Sequence, residues 1–578
     1  MMAYSGGDEF PCAVAEIGSY ATKIGYAGED APRSYFRSTT AIQRDNTGKG
    51  SSSSSFKRSY DFFTRPLENE EDGNWDICNP VDKYTGLVYQ GISMNANADQ
   101  QNDDDVDMEG NNPPNTTSEA NGIAGECFTH FSSHLSHGFT SALCADPSTM
   151  PLLLVERSYN PPPIRQKMIE ILFEEHNVPA TFLARDAVCA CYAVGRTTGT
   201  VVDVGYSGTT VTPVFDGFVE TKGILRSPVG TSMMEEMVLQ NLDSLYKTKK
   251  ARMKINSAVD YVMPLYQVRS SAGENHKMRR EPFHTLARLD FARMCMEDGS
   301  GAGVAAFGYA SLQDLDDEAA KAEPSDIYQL YANAPKAPYK LPDGTEVDIT
   351  QTKRFDVAEL LFGKGGKSAK IRQEAMDVYK KNLDSIIASA GKNASDNGDE
   401  IESNAIAEME EMAKRKRHHA KGGTNTVKQQ TSQSHEKLVK ACTPYLSSAI
   451  GEFTSSTIPS MICESAFKCD RDQQAQLLGN SVLCGGGACL STSVLSTSIG
   501  ISDGNAFPER LREEVEALIH THTPGWRVKV LSPGISERHI CSWLGASILG
   551  SLGSFHDMWI TKAEYEEHGP SIVNRKCP

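Results

Sequence analysis

The sequence predicts an α/β fold with mixed sheets, and three glycine-containing turns next to β-rich segments are the observations that predict it. The central turn lies in residues 199–217, GTVVDVGYSGTTVTPVFDG, where β-branched residues favour two strands and the glycines favour a turn between them. A second copy of this design occupies residues 12–28, CAVAEIGSYATKIGYAG. The third turn, Gly485–Gly487, directly follows the strand-like Ser481–Cys484. Helix-like segments separate the three turns, which gives the mixed α/β pattern.

Each of the two hairpins has an acid at the end of its first strand, Glu16 in the first and Asp203 in the second. Glycines at a hairpin tip let backbone N–H groups approach an anion, and a neighbouring carboxylate can hold a hydrated divalent cation beside that anion. For one hairpin alone, glycines that serve only the turn are the simpler interpretation. Two copies, together with a third glycine turn suited to a flat base and a sugar, favour a nucleotide site.

Composition restricts the class of protein. At 578 residues the chain is long enough for two to four domains, and 39% hydrophobic residues are enough for sizeable cores. The formal net charge of −18 excludes a protein that coats nucleic acid by charge alone, so any DNA contact is expected to be local or indirect. The 14 cysteines lack paired zinc-type spacing, and no apolar run is long enough to span a membrane. We expect reduced, buried thiols and no membrane partner.

Apolar periodicity predicts the elements between the turns, in order along the chain. Met150–Glu156 is a buried strand candidate. Helices are predicted over residues 164–176, 187–194, 231–245, 507–518 and 541–555, with a hairpin on Pro342–Asp343–Gly344 and a strand at Trp526–Leu531. The methionines of the helix at 231–245 form a stripe that we interpret as core rather than as a partner groove.

Three polar segments, at about residues 45–57, 95–121 and 393–434, cannot bury a core and are expected to be disordered inserts. The second contains an acidic cluster without the central glycine and terminal glutamate of a regular calcium loop, which favours an acidic insert over a calcium site. The third contains Lys414–Arg417, KRKR, for which a nuclear-import signal and a merely solvated insert both stay open.

Five strings distributed along the chain make it resemble the actin superfamily. They are Ala27–Arg33 (AGEDAPR), Gly195–Thr198 (GRTT), Lys340–Gly344 (KLPDG), Gly545–Leu549 (GASIL) and Met558–Cys577 (MWITKAEYEEHGPSIVNRKC). Within the superfamily the chain is similar to the nuclear actin-related proteins of the fourth class, and four features carry that similarity. They are Tyr4–Glu9 (YSGGDE), Ile17–Tyr20 (IGSY), Ser227–Pro228 and Cys577–Pro578.

The resemblance implies an actin-like two-lobed fold, with ribonuclease H-like mixed sheets and a nucleotide cleft between the lobes. The expected domains are a first lobe over residues 1–193, a second lobe over 194–540, and a C-terminal segment, 541–578, that completes the first lobe. The expected cofactor is ATP with Mg²⁺.

The site residues that the resemblance implies lie in the three glycine-containing turns. The nucleotide-binding candidates are Gly18, Ser19, Tyr20, Lys23, Asp203, Gly205, Ser207, Gly208, Gly485, Gly486 and Gly487. Lys23 is the cation expected to pair with phosphate, and Glu16 and Asp203 are the expected metal ligands, each through water.

Several positions of the cleft depart from the actin pattern. The replacements are Glu16 for an Asp, Tyr20 for a Gly, Tyr206 for a second loop Asp, Asp186 for the water-positioning Gln, Thr210 for a His, and His539 for a Lys at the base-binding end. Hydrolysis needs both the metal shell and a positioned water, and these replacements change both. We therefore expect ATP binding without turnover, and no catalytic residue is assigned.

The function that the resemblance implies is that of a non-catalytic, ATP-binding subunit of nuclear chromatin-remodelling and histone-acetyltransferase complexes, with roles in transcription regulation and DNA repair. Its expected partners are actin, a helix of a remodeller ATPase subunit and other chromatin-complex subunits, and its expected location is the nucleus, with some in the cytoplasm. One alternative is a cytoskeletal, filament-forming ATPase, which requires intact hydrolytic residues. Another is a sugar kinase, which requires a catalytic Asp facing a hydroxyl substrate.

An apolar groove is expected to receive one face of the partner helix. By the resemblance it is lined by Cys541–Phe555 and Ala187–Tyr192, with Trp559 nearby. Core packing is the simpler interpretation for each position taken singly, whereas we favour partner binding for the groove as a whole.

Overall fold

The structure is a computed structural model that describes residues 12–43, 57–60, 75–81, 86–88, 127–253, 261–264, 281–297, 337–349, 351–363, 366–391, 452–489, 506–520, 523 and 525–578. The inserts expected at 95–121 and 393–434 lie outside the described residues. So does the insert expected at 45–57, except for its last residue, Lys57, which begins a strand.

The described strands are β1 (Ala13–Ile17), β2 (Ala21–Tyr26), β3 (Ser34–Arg37), β4 (Thr40–Gln43), β5 (Lys57–Ser59), β6 (Trp75–Cys78), β7 (Leu152–Glu156), β8 (Ala180–Arg185), β9 (Gly199–Val204), β10 (Thr209–Phe215), β11 (Phe218–Val219), β12 (Leu225–Ser227), β13 (Ala337–Lys340), β14 (Glu346–Ile349), β15 (Glu452–Phe453), β16 (Ser481–Cys484), β17 (Val530–Leu531) and β18 (Ile560–Thr561).

The described α-helices are α1 (Cys127–His137), α2 (Pro162–Glu174), α3 (Asp186–Ala193), α4 (Thr231–Met253), α5 (Glu281–Glu297), α6 (Gln351–Phe362), α7 (Gly366–Gly391), α8 (Ile458–Lys468), α9 (Arg471–Gly479), α10 (Ala506–Ile519), α11 (Ile535–Arg538), α12 (Cys541–Ser551), α13 (Lys562–His568) and α14 (Val573–Lys576).

The first of two compact units includes the described chain up to Asp186 and again from Ala546. Its six-stranded sheet has the order β18-β8-β7-β1-β2-β3. Strand β7 is parallel to both neighbours, β1 and β8, while β1, β2 and β3 pair antiparallel. All five residues of β7, LLLVE, are buried, as expected of a central parallel strand covered on both faces. A smaller antiparallel sheet has the order β5-β4-β6.

The second unit includes Ala187–Lys381 and Gly451–Gly545. Its sheet has the order β15-β12-β10-β9-β16-β17, with β11 paired to β10. Strand β9 is antiparallel to β10 and parallel to β16, so the turn after β16 lies beside the tip of the β9–β10 hairpin. The predicted lobe boundaries, after residues 193 and 540, stay a prediction; the compact units change after Asp186 and after Gly545.

The core of the second unit contains the predicted methionine stripe. Met234, Val238 and Leu242 of α4 are buried, and Met233 and Met237 pack against the same cluster. The interpretation of this stripe as core is therefore confirmed.

Three predicted elements differ clearly in length from the structure. The helix predicted over residues 231–245 extends to Met253. The strand predicted at Trp526–Leu531 pairs with β16 only at Val530 and Leu531. The helix predicted through residue 555 ends at Ser551, and a 3₁₀ segment, Gly553–Met558, follows. Glycine at 553 disfavours continuation of the helix, which accounts for the earlier end.

No helix in the described part of the chain is long and apolar enough to cross a membrane. The four cysteines predicted to be buried small hydrophobes, Cys189, Cys191, Cys463 and Cys469, are buried free thiols. Burial raises the pKa of the Cys191 thiol to about 12, which keeps it protonated and unreactive at neutral pH.

Candidate functional site

The first hairpin joins β1 and β2, and its register places Glu16 directly opposite Lys23. The turn is closed by a hydrogen bond from the Gly18 backbone N–H to the Ala21 carbonyl oxygen, at 3.0 Å. A Cβ on Gly18 would lie 3.0 Å from that same oxygen, so the tip is tight enough to disfavour any side chain there. This geometry matches the glycine-tipped hairpin that the sequence predicts.

The expected metal ligand and the expected phosphate cation of this hairpin pair with each other. Lys23 Nζ lies 2.8 Å from Glu16 Oε1, and the two side chains are only 10% and 13% exposed. Glu16 Oε2 is buried and has no hydrogen-bond partner among the described residues. Glu16 lines a pocket of the first unit that Leu154, Met168 and Asp186 also line. One carboxylate oxygen is thus neutralised inside the hairpin, and the other remains available to a further polar group.

The tip of the first hairpin is held by polar groups of its own unit. Asn79 Nδ2 donates to the Ser19 carbonyl oxygen at 2.8 Å, and the Ser38 N–H donates to the Tyr20 carbonyl oxygen at 2.9 Å. The Arg37 guanidinium carbon lies 4.3 Å from the centre of the Tyr20 ring. The Ser19 hydroxyl is buried without a hydrogen-bond partner among the described residues, which leaves a polar atom for a ligand at this tip.

The second hairpin joins β9 and β10 and places Asp203 opposite Thr210. Its tip is closed by the Gly205 N–H donating to the Gly208 carbonyl oxygen at 3.0 Å. The first N–H groups of α4 donate to this tip, Thr231 to the Gly205 oxygen at 3.0 Å and Ser232 to the Tyr206 oxygen at 3.1 Å. These N–H groups have no partner within the helix, so the hairpin tip satisfies the helix terminus while the helix fixes the tip.

Close backbone contact explains two glycines of this region. A Cβ on Gly208 would lie 2.4 Å from the Ser227 carbonyl oxygen. A Cβ on Gly230 would lie 2.5 Å from the Gly208 nitrogen and 2.6 Å from the Tyr206 carbonyl oxygen. The tip and the turn that precedes α4 therefore touch through backbone alone, and any side chain would separate them.

The third turn packs directly on the acidic end of the second hairpin. Cys484, the last residue of β16, pairs with Asp203. Gly485 has a φ of +93°, and its Cβ would lie 2.3 Å from Asp203 Oδ1, while a Cβ on Gly487 would lie 2.4 Å from Val204 Cγ1. The structure thus brings together the second and third predicted turns, Asp203 included, within one unit. Gly486 has open space where its side chain would be.

Asp186, which stands at the position of the water-positioning Gln, has both carboxylate oxygens occupied. Oδ1 accepts from the Ser158 N–H at 2.9 Å and from the Ser158 hydroxyl at 2.5 Å. Oδ2 accepts from Arg157 Nη1 at 3.3 Å. Sequence reasoning missed Arg157 and Ser158; the signal that marks them is their position immediately after the buried strand β7, where the chain leaves the sheet.

A second arginine that sequence reasoning missed lies beside the second hairpin. The Arg293 guanidinium carbon is 5.3 Å from the centre of the Tyr206 ring, and Arg293 forms an ion pair with the buried Glu235 of α4. Arg293 belongs to α5, in the stretch where the sequence departs most from actin, so no motif pointed to it.

The residues expected to line an apolar groove divide into core and surface. Ala187, Ala190 and Cys191 of α3 are buried in the core of the second unit. In the first unit, the exposed large apolar side chains Ile548 and Leu552 stand at the end of α12 and just beyond it. Met558 is exposed too, whereas Trp559 is buried. Ile548, Leu552 and Met558 are therefore the members of this region that a partner can reach without unfolding.

Two α/β units, with glycine-tipped hairpins on mixed sheets, form the actin fold. The family model described as Actin matches residues 7–578, and the chain belongs to the actin family. The predicted fold class is therefore confirmed, and membership of this family implies nucleotide binding in general.

Several relatives, each named Actin-related protein 4, cover the chain almost end to end. That of Arabidopsis thaliana is 28% identical over 99% of this chain and 100% of its own length. That of Mycosarcoma maydis is 27% identical, over 99% of both chains. That of Schizosaccharomyces pombe is 24% identical over 100% of this chain and 99% of its own. The predicted similarity to actin-related proteins of the fourth class is confirmed.

Proposed function

We propose that the chain is a nucleotide-binding, hydrolysis-deficient actin-related subunit of nuclear chromatin-remodelling and histone-acetyltransferase complexes. The observation that supports it best is a contrast within the candidate site. The second hairpin, with Asp203 and the packed Gly485 turn, keeps the backbone cradle. The carboxylates of Glu16 and Asp186 are instead engaged by Lys23, Arg157 and Ser158.

The residues present fit ATP with Mg²⁺ in part. Each hairpin has a glycine at its tip, where a side chain would clash with neighbouring backbone. Because no side chain covers the backbone there, N–H groups of the tips would bind phosphate oxygens. Asp203 supplies a hard carboxylate oxygen of the kind that Mg²⁺ takes through water, and the metal supplies charge neutralisation of the phosphates when bound. Glu16 Oε2, buried and without a described hydrogen-bond partner, would accept from a metal-bound water. In this chain Lys23 would thus serve Glu16 as well as phosphate.

The same side chains account for the proposed lack of turnover. A water that attacks phosphate must be held by a group with a spare acceptor and a path for its proton. The Asp186 carboxylate accepts three hydrogen bonds from Ser158 and Arg157. Thr210, opposite Asp203, has a hydroxyl that does not act as a base at neutral pH. Most of the acceptor capacity of Asp186 is therefore taken up by Ser158 and Arg157, and Thr210 is not a base, which accounts for the proposed lack of turnover.

The test is the nucleotide content and phosphate release of the purified full chain. Denaturing the protein after gentle purification and separating the released nucleotides should give close to one ATP per chain, with phosphate release far below that of actin assayed in parallel. Asp203→Asn should lower the ATP content, and Asp216→Asn, at the other end of the same hairpin, is the matched control. Turnover comparable to actin contradicts the proposal, and absence of nucleotide from the wild-type chain contradicts its binding part.

The proposed partners are actin, a helix of a remodeller ATPase subunit and other chromatin-complex subunits, with indirect nucleosome contact because of the net charge of −18. The exposed Ile548, Leu552 and Met558 support an apolar docking surface for one helix face. The relatives named Actin-related protein 4 support this class over a filament-forming ATPase, which is not favoured.

Affinity purification from nuclear extract tests the partnership. The wild-type chain should bring down actin and a large helicase-like ATPase in stoichiometric amounts. Leu552→Asp should reduce both, while Val378→Asp, which charges an exposed apolar residue of the second unit, should not. Recovery of self-assembled filaments without these partners contradicts the proposal. The proposed nuclear location is tested separately by replacing Lys414–Arg417 with alanines, which should reduce nuclear accumulation if the chain enters alone.

A further inference from the structure

Helix α5 holds an arginine against the tip of the second hairpin. The Arg293 guanidinium lies over the ring of Tyr206, with 5.3 Å between the guanidinium carbon and the ring centre. It also forms an ion pair with Glu235 of α4, a residue that is only 2% exposed. A carboxylate buried to this degree needs a paired cation, so Glu235 fixes where the guanidinium lies.

The same helix contains a second arginine in closely similar surroundings. Arg288 forms an ion pair with Asp243 of α4 at 2.6 Å, and its guanidinium carbon lies 4.7 Å from the centre of the Tyr261 ring. Both arginines therefore tie α5 to α4 and cover a tyrosine. They differ in the tyrosine, because Tyr261 lies outside the three glycine-containing turns and Tyr206 is part of one. They differ also in their acids, because Glu235 is more buried than Asp243 and Arg293 Nη1 lies 3.7 Å from Glu297 Oε1 as well.

Tyr206 connects the arginine to the phosphate-binding backbone. Its carbonyl oxygen accepts from the Ser232 N–H at 3.1 Å, which fixes one side of the residue to α4. Its ring is covered by Arg293 of α5. The tip between Gly205 and Gly208 is thus held from two helices, through the backbone by one and through a side chain by the other.

We propose that Arg293 is a positioning residue of the nucleotide site, which holds the Gly205–Gly208 tip in the conformation that receives phosphate, and that Glu235 aims it. The planar guanidinium suits this role because it can lie over an aromatic face and form an ion pair with a carboxylate at the same time. The effect on nucleotide affinity rests on the proposed function, whereas the hold on the tip is a property of the protein alone.

The first experiment measures the hold on the tip without any nucleotide. Hydrogen–deuterium exchange of the full chain should show faster exchange in peptides covering residues 205–210 in Arg293→Gln than in the wild type. Arg288→Gln removes the same kind of ion pair and stacking from the same helix and should leave those peptides unchanged. Equal acceleration in both variants, or none in Arg293→Gln, overturns the proposal, since α5 would then act only as a packing element.

The second experiment measures ATP affinity by titration calorimetry in the presence of Mg²⁺. Loss of one stacked cation predicts roughly 5- to 20-fold weaker binding in Arg293→Gln, with less than about twofold change in Arg288→Gln. Arg293→Lys keeps the charge and should recover part of the affinity. In a double-mutant cycle, Tyr206→Leu and Arg293→Gln should be non-additive, because each removes the same contact.

The two experiments separate the inference from the proposed function. If the wild type binds no ATP, the proposed function fails, and the exchange experiment alone decides whether Arg293 holds the tip. If Arg293→Gln does not fold, Tyr206→Leu tests the same contact from the hairpin side, with Tyr206→Phe as the control that keeps the ring. Unchanged exchange in Tyr206→Leu overturns the proposal.

Discussion

The two glycine-tipped hairpins have the same strand–turn–strand arrangement and differ in the residue that lies opposite the acid. In the first, Glu16 lies opposite Lys23 and forms an ion pair with it at 2.8 Å. In the second, Asp203 occupies the equivalent position, but the residue opposite is the uncharged Thr210. The same cross-strand position therefore places an acid opposite a lysine in one unit and an acid opposite a threonine in the other.

The supports of the two tips differ as well. The first tip is held by side chains and by the Ser38 N–H, whereas the second is held by the first turn of α4 and by the glycine turn after β16. Backbone-to-backbone packing leaves no room for adjustment, and side-chain support does. The comparison indicates that the tip of the second hairpin is the more rigid of the two and that the tip of the first is the more adaptable.

The largest expected effect is that of a methyl group at the third turn. Gly485→Ala forces a Cβ to within 2.3 Å of Asp203 Oδ1 at a φ of +93°. Left-handed strain and backbone displacement together should cost about 3–5 kcal/mol of unfolding free energy. Gly18→Ala in the first hairpin meets only one atom, at 3.0 Å, and should cost about 1 kcal/mol. Urea denaturation of both variants measures the difference, and equal losses would contradict the assignment of rigidity to the second hairpin.

The next effect is a pH dependence of stability, which comes from two buried histidines near the first hairpin. His134 is fully buried, with ring nitrogens 2.7 Å from the His130 oxygen and 2.8 Å from the Ser38 oxygen, and the Ser38 N–H in turn supports the tip at Tyr20. Burial lowers the pKa of His134 to about 4 although its two carbonyl contacts act in the opposite direction, and burial together with the nearby Arg58 lowers the pKa of His130 to about 3. Both imidazoles therefore stay neutral in the folded protein at pH 5.5.

The sign follows from the unfolded chain, where histidine titrates near 6.5. As the pH falls below 6.5, these histidines bind protons in the unfolded state but not in the folded state. The free energy of unfolding therefore keeps its full value above that pH and declines towards pH 4. At pH 5.5 the pair should have cost about 3 kcal/mol relative to neutral pH. Urea midpoints at pH 7.5 and 5.5 measure it, and His134→Gln should remove about half of the difference. If the urea midpoint of His134→Gln depends on pH as strongly as that of the wild type, the pH dependence does not come from this histidine pair.

A smaller effect comes from the ion pair that distinguishes the first hairpin. Lys23→Ala leaves Glu16, 13% exposed, without its cation and should cost about 2 kcal/mol, less than for a fully buried pair. The double variant Lys23→Ala, Glu16→Gln should recover most of that loss, because no uncompensated charge remains. Asp203→Asn is the corresponding change in the second hairpin and should cost less than about 1 kcal/mol. Chemical denaturation of the wild type and the three variants measures the difference between the two hairpins. Lys23→Ala should cost no more than Asp203→Asn if Lys23 interacts only with phosphate.

The sequence was sufficient to predict the two hairpins, the third turn and the family, because β-branched runs, acids and glycines at tips are local patterns. It did not predict that the Gly485 turn packs on Asp203, because this contact joins segments that are far apart in the sequence. It did not predict the Glu16–Lys23 ion pair, although both residues were named, because the cross-strand register that joins them becomes evident only in the folded hairpin. Arg293 was missed because its contacts with Tyr206 and Glu235 join distant segments, in a stretch with no recognisable motif.

The smallest expected effect concerns the tyrosines at the two tips, each of which lies under an arginine. Arg37 comes from β3, the neighbour of β2 in the same sheet, and its guanidinium carbon lies 4.3 Å from the centre of the Tyr20 ring. Arg37→Gln removes one partly exposed cation–π contact and should cost about 0.5–1 kcal/mol.

Arg33→Gln is the matched control for this change, because Arg33 is 60% exposed and lies 5.9 Å from the Tyr26 ring at the far end of the same hairpin. It should leave the unfolding free energy nearly unchanged, because an ion pair of so exposed a side chain contributes little. Arg293→Gln should cost more than Arg37→Gln, since it also strips the buried Glu235 of its cation. Thermal unfolding of the three variants ranks them, and a larger loss in Arg37→Gln than in Arg293→Gln would mean that the first hairpin, and not the second, depends more on its arginine.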